Sequence, residues 1–130
     1  MHGLLKSLPF FFMASDKSGW IKIAESIAEL PFRNNGIAEL EVAGKRICVA
    51  NYKGQLYAFT SKCPHASGLL ADGFIDALGN IVCPLHRYKF CLRNGHNVSG
   101  EGYYLKHWRV SVLADGVYLD FATKRYFGMF

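Results

Sequence analysis

An all-β fold is what this sequence predicts, and three observations carry the prediction. Apolar and polar residues alternate with a period of two along several short stretches, as they do in half-buried strands. Glycine-containing dipeptides punctuate those stretches: Ala43-Gly44, Lys53-Gly54, Gly79-Asn80, Asn94-Gly95 and Asp115-Gly116. Such pairs make the tight turns that join antiparallel neighbours. The chain has 130 residues, of which 51% are hydrophobic and 15% aromatic. That suffices for one domain with a core, and it excludes a disordered tail.

Each element follows in order. Trp20 to Ala24 alternates as a first strand, and a short helix is expected near Glu25 to Glu29. Ile37 to Val42 alternates apolar-in and charged-out. Ala43-Gly44 turns it into Lys45 to Tyr52, and Lys53-Gly54 leads on to Gln55 to Thr60. This three-stranded meander runs directly to Cys63. Gly73 to Asp76 and Ile81-Val82 flank the turn Gly79-Asn80, a small hairpin ahead of Cys83. Tyr88 to Leu92 is a further short strand, ended by Asn94-Gly95. Trp108 to Leu113 and Val117 to Phe121 meet at Asp115-Gly116, with Val117, Leu119 and Phe121 on one face. The layout is a small antiparallel β-sandwich or open barrel whose flanking strands pair across an insertion. The expected organisation is an N-terminal arm over 1–18, one domain over 19–123 with an inserted subdomain near 61–102, and a tail over 124–130.

Charge and the chain ends bound the function. The formal net charge is +5 without the long Lys/Arg run of a nucleic-acid binder. No apolar run approaches the ~20 residues needed to span a bilayer. A basic surface suits an acidic protein partner, the alternative being a solvated surface without a message. Met1 to Met13 carries Leu4, Leu5, Leu8 and Phe10-Phe11-Phe12, a run too short, and without the cleavage site, for a secretory signal. Met13-Ala14-Ser15-Asp16 is expected to be the true start, or else the arm is disordered or packs on a neighbour. Nothing in the cysteine usage asks for an oxidising compartment, so a cytoplasmic location is expected.

Two segments carry the chemistry: Cys63-Pro64-His65 and Cys83-Pro84-Leu85-His86. Together they give C-x-H-x17-C-x2-H, with one thiolate and one imidazole on each arm. Zinc also takes two Cys and two His, yet its usual spacing puts both cysteines on one arm and both histidines on the other. A Rieske [2Fe–2S] centre needs two thiolates on one iron and two imidazoles on the other. A structural zinc site stands as the alternative. Cys48, within Ile47-Cys48-Val49-Ala50, and Cys91, after Phe90, are expected to be small buried hydrophobes. His96 and His107 lack a cysteine companion and are expected to be ordinary loop histidines.

At these segments the sequence resembles the Rieske iron–sulfur family. Cys63-Pro64-His65-Ala66-Ser67-Gly68-Leu69-Leu70 with Gly73 resembles its first loop. Cys83-Pro84-Leu85-His86-Arg87-Tyr88-Lys89-Phe90 with Gly95 resembles its second. The resemblance extends from about Ile21 to Phe121. It implies a basal β-domain carrying a cluster-binding subdomain, with Cys63 and Cys83 on the inner iron and His65 and His86 on the outer one. High-potential members carry a disulfide clamp and loop hydroxyls. Here Gly68 and Leu85 stand at the clamp positions, and Tyr88 and Phe90 at the serine and tyrosine positions. The expected potential therefore lies at the low end of the family's range of roughly −150 to +300 mV. Arg87 replaces the glycine common after the second histidine, and with Lys62, Lys89 and Arg93 it outlines a basic rim.

The implied function is one-electron transfer by a stand-alone ferredoxin, from a reductase to an oxygenase or other redox enzyme. The small subunit of an assimilatory nitrite reductase, partnered by its large subunit, is the alternative. A zinc-binding interaction module and a redox-sensing regulatory subunit represent other classes. No nucleophile, general base or substrate pocket is visible, so catalysis of its own is not expected.

Overall fold

Two successive turns set the register of the basal sheet. Ala43 and Gly44 have φ of 51° and 81°, and Lys53 and Gly54 have 54° and 83°. Both central residues of each turn are left-handed, the two-residue hairpin geometry that matches strand twist. In this computed structural model, residues 19–64 and 68–121 are described, and the statements below concern those residues. The expectations for the N-terminal arm, for His65 and for residues 122–130 lie outside them.

The strands are β1 (Trp20–Ala24), β2 (Ile37–Val42), β3 (Lys45–Tyr52), β4 (Gln55–Thr60), β5 (Phe74–Ile75), β6 (Asn80–Val82), β7 (Lys89–Cys91), β8 (His107–Leu113) and β9 (Gly116–Asp120). A six-stranded antiparallel sheet runs β1-β9-β8-β4-β3-β2 and curves into a half-barrel, and a three-stranded sheet runs β5-β6-β7. The closure expected across the insertion joins β4 to β8 within the six-stranded sheet. Ala58 pairs with Trp108 and Phe59 with His107, and Thr60 N–H donates to the Lys106 carbonyl at 3.0 Å.

Strand β3 explains its own unbroken apolar run. Ile47 and Val49 enter a basal core with Val42, Leu56, Trp108, Val117 and Leu119. Cys48 and Ala50 point the other way, into a second core with Phe59, Leu70, Ile81, Phe90 and both Cys63 and Cys83. Successive side chains of a strand face opposite sides, so a strand buried on both faces loses its alternation. Each fully buried aliphatic or aromatic side chain contributes about 1.5–3 kcal/mol of transfer free energy. The meander is thus the shared wall between the body of the protein and its ligand-bearing end.

Three expectations are corrected. The helix near Glu25 to Glu29 is only a 3-10 turn, Ile27–Glu29, after which Leu30 is extended with ψ of 136°. Pro31 follows, and the residue before a proline is driven out of the helical region. The hairpin before Cys83 turns earlier than Gly79-Asn80. Asp76 organises it, its Oδ1 accepting from the N–H groups of Leu78 at 2.9 Å and Asn80 at 3.0 Å. Asn80 already belongs to β6. The strands of the small sheet are also shorter than the alternation predicted, Phe74–Ile75 and Lys89–Cys91.

Candidate metal centre

The two Cys/His segments form loops of the same design. Cys63 N–H donates to the Gly68 carbonyl at 2.9 Å, and Cys83 N–H donates to the Tyr88 carbonyl at 2.8 Å. One step outward, Lys62 bridges Leu69, and Val82 pairs with Lys89. Each cysteine is therefore the last residue before a turn of the same span. A proline follows it where no amide donor is needed. The loops differ in where the histidine stands: second after the cysteine bridgehead in one, third in the other.

Cys63 is 2% exposed and Cys83 0%, and neither is in a disulfide. His86 is exposed at the tip of the second loop. The arrangement puts sulfur inside and imidazole outside. The loops also touch. A Cβ placed on Gly68 would lie 2.9 Å from Cys83 Sγ and 3.2 Å from Leu85 Cβ. Glycine is required there, and Gly68 and Leu85 face one another as the clamp positions of the resembled family do. Among the described residues no three His, Cys, Asp or Glu side chains gather around a single ion position.

Around the tip, Leu69, Phe74 and Leu85 are exposed apolar side chains. Arg87 holds φ of 62°, and its N–H donates to the Cys83 carbonyl at 2.9 Å. This left-handed backbone favours glycine and is strained for most other side chains. Its guanidinium lies 5.9 Å from the centroid of the Phe74 ring, a cation–π distance. Lys89 is partly spoken for by Asp76 at 3.8 Å. Phe90 is fully buried between the sheets, while Tyr88 is half-buried and stacks on Tyr103 with centroids 6.0 Å apart. Burial first, then Glu101, Tyr103 and Cys63, raise the Tyr88 phenol above its ordinary value.

The supports of the first loop come from residues that sequence reasoning did not single out. Arg33 Nη1 donates to the Ala71 carbonyl at 3.1 Å and to Asp72 at 2.9 Å, and Arg33 Nη2 reaches Glu39 at 3.3 Å. Asn35 Nδ2 donates to the carbonyls of Ala71 and Gly73 at 2.8 and 2.9 Å. Ser61 Oγ donates to Glu39 at 2.6 Å, and its carbonyl accepts from Leu70 N–H at 2.8 Å. The Ser61 hydroxyl chiefly, with Arg46 and Arg33, outweighs burial and holds the Glu39 carboxyl below its usual range. Beside it, burial pushes the Cys48 thiol up to about 12, against a hydrogen bond from Ser61. The Asn-Gly pair at Asn35-Gly36 was the one local signal available, a turn signal without a hint of its distant partners.

Residues 19–103 match the Rieske [2Fe-2S] domain, and the chain belongs to that family. The 3-phenylpropionate/cinnamic acid dioxygenase ferredoxin subunit of Photorhabdus laumondii subsp. laumondii is 30% identical over 70 residues, 54% of this chain and 64% of that protein. Its namesake in Escherichia coli (strain K12) is 33% identical over 49 residues, 38% of this chain and 46% of that protein. The matches thus span about half to two-thirds of those curated relatives. Among solved structures, the ferredoxin of carbazole 1,9a-dioxygenase from Nocardioides aromaticivorans IC177 superposes with a TM-score of 0.66 at 22% identity, covering 77% of this chain and 95% of that one. A chain described as a nitrite reductase NADPH small subunit gives 0.66 at 21% identity, covering 77% and 96%. At such identities the likeness is one of fold.

The family's group is a Rieske-type [2Fe–2S] cluster, and the described residues fit it. Two buried thiols stand on paired loops, an imidazole stands at the surface, and Gly68 leaves the space beside Cys83 Sγ that a side chain would fill. The choice left open between cluster and zinc falls to the cluster. Among the described residues no helix is long and apolar enough to cross a membrane.

Proposed function

We propose that this protein is a ferredoxin-type one-electron carrier, with Cys63 and Cys83 ligating the inner iron and His65 and His86 the outer one. The single observation that carries this is the pair of matched loops, with both cysteines buried and His86 exposed. When bound, the cluster supplies reversible one-electron transfer between a neutral and a singly negative site. The protein's residues do the rest. The second core keeps water from the sulfurs, the loop hydrogen bonds fix the ligands before the electron arrives, and the exposed imidazole tip is the exit. Residues 19–123 are the functional unit, with 61–102 its cluster-binding part.

Electrons pass from a reductase to an oxygenase or another redox enzyme at a small, transient contact. The dioxygenase ferredoxin relatives, at 30 and 33% identity, favour an oxygenase as acceptor over a nitrite reductase large subunit. Phe90, buried and without a hydroxyl, supports a potential in the lower part of the family range. Electron paramagnetic resonance of the dithionite-reduced protein, with iron and sulfide analysis, is the test. A Rieske-type signal from two irons per chain, lost in His86→Ala, is expected. Stoichiometric zinc, or an intact signal in His86→Ala, would overturn the assignment.

A further inference from the structure

We infer that Tyr88 and Tyr103 form an aromatic brace that positions the His86 imidazole. The inference deepens the carrier reading and rests on His86 being an iron ligand. His86 stands at the exposed tip of the second loop. A ring at such a tip keeps one orientation only with support from its neighbours, since exposed side chains exchange rotamers readily. The Tyr88 ring meets it, with centroids 6.1 Å apart and planes inclined at 45°. Tyr103 stacks on Tyr88 in turn, with centroids 6.0 Å apart and planes inclined at 29°. Both separations fall within the roughly 4.5–7 Å over which aromatic rings attract. Tyr88 is itself fixed, because its carbonyl accepts from Cys83 N–H at 2.8 Å and closes the ligand loop.

Tyr103 is exposed, so it supports a neighbour only if its backbone is held. The segment that leads to it is a strap with Asn97 as its hub. Asn97 Oδ1 accepts from the N–H groups of Glu101 at 2.6 Å and Gly102 at 3.0 Å. Its Nδ2 donates to the Lys89 carbonyl at 3.2 Å and to the Glu101 carboxylate at 2.9 Å. The Ser99 hydroxyl donates to the same carboxylate and accepts from Lys89 N–H at 2.9 Å. Val98 N–H donates to the Lys89 carbonyl at 2.9 Å. Past Tyr103, Leu105 is buried, and its N–H donates to the Gly95 carbonyl at 2.9 Å. The strap is therefore tied to Lys89, the residue after Tyr88, and both rings of the stack hang from one frame. Exposed loops are ordinarily the mobile parts of a fold, whereas this one is bonded along its length and ends on a ring that leads to His86. Groups that orient a ligating imidazole also tune the metal it binds.

Pulsed electron paramagnetic resonance of the dithionite-reduced holoprotein, which reads the nitrogen couplings of the two ligating imidazoles, tests it together with voltammetry. Tyr103→Ala is expected to shift and broaden one of the two couplings, to leave the other as in the parent, and to shift the potential at unchanged iron content. Tyr103→Phe keeps the ring and should give the parent couplings and potential. A role in stability alone would move neither coupling. Should Tyr103→Ala fail to hold iron, Asn97→Ala, which unties the strap and leaves both rings, should shift the same coupling. Two parent-like couplings in the iron-loaded alanine variant, or a change in Tyr103→Phe equal to that in Tyr103→Ala, would overturn the brace. A parent protein without a Rieske-type signal would overturn the carrier reading instead, so the two failures are distinguishable.

Discussion

Arg87 shows how one side chain is held against its backbone's preference. Its φ of 62° suits glycine, and an L-residue there costs about 1–2 kcal/mol. Part of that is offset because glycine loses more entropy on folding. Arg87→Gly is therefore expected to stabilise the fold by about 0.5–1 kcal/mol, read from the urea midpoint at unchanged slope. Cys48 makes a different prediction at the same scale. With its thiol pushed up to about 12, only about one molecule in ten thousand is a thiolate at pH 8. Iodoacetamide on the native holoprotein should label the half-buried Cys91 well before Cys48. Equal labelling by peptide mass spectrometry would contradict the burial described.

At the scale of elements, the first ligand loop is held by charges on the segment before β2 and on β2 itself. Glu39 is the hub, and its folded-state pKa is depressed. A depressed carboxylate stabilises the fold fully above its unfolded value, and that stabilisation is lost as pH falls through the folded value. Glu39→Gln should cost about 1.5–3 kcal/mol at neutral pH, the range for hydrogen bonds to charged groups. Its deficit against the parent protein in urea titrations should shrink from the ordinary value of 4.5 downward. The strands themselves were legible because Ala43-Gly44 and Lys53-Gly54 fix pairing locally. The Arg33 and Asn35 contacts were not, since their partners lie far along the chain at Ala71, Asp72 and Gly73. The expected helix shrank to a single turn because Ser26 is extended at its start, with φ of −161°, and Pro31 keeps Leu30 from continuing it.

At the scale of the whole molecule, the candidate ligands stand out in the sequence because two ligand types alternate between two arms, a pattern that needs no tertiary information. Which cations matter was not legible. The sequence offers Lys62, Arg87, Lys89 and Arg93 alike, whereas the structure ties Lys89 to Asp76 and sets Arg87 over Phe74, next in the chain to His86. With a net charge of +5, encounter with an acidic partner face should be steered and salt-sensitive. Arg87→Glu is expected to slow electron uptake from a ferredoxin reductase severalfold at low salt and to flatten its dependence on ionic strength in stopped-flow traces. Lys89→Gln should do much less, and equal effects would show that the rim acts only through total charge.

The matched loops hang from different sheets: the first leaves β4 of the six-stranded sheet, the second joins β6 to β7 of the small one. A group ligated from both is a mechanical rivet as well as a redox centre. The small sheet has strands of only two or three residues, too little pairing to stand alone. Ligand-to-metal bonds that form only in the folded state add their binding free energy to folding. Loss of the metals should therefore loosen the molecule unevenly. Amide exchange is expected to accelerate through β5, β6 and β7 while β2, β3 and β4 stay protected. A uniform rise across both sheets would show that the small sheet holds itself.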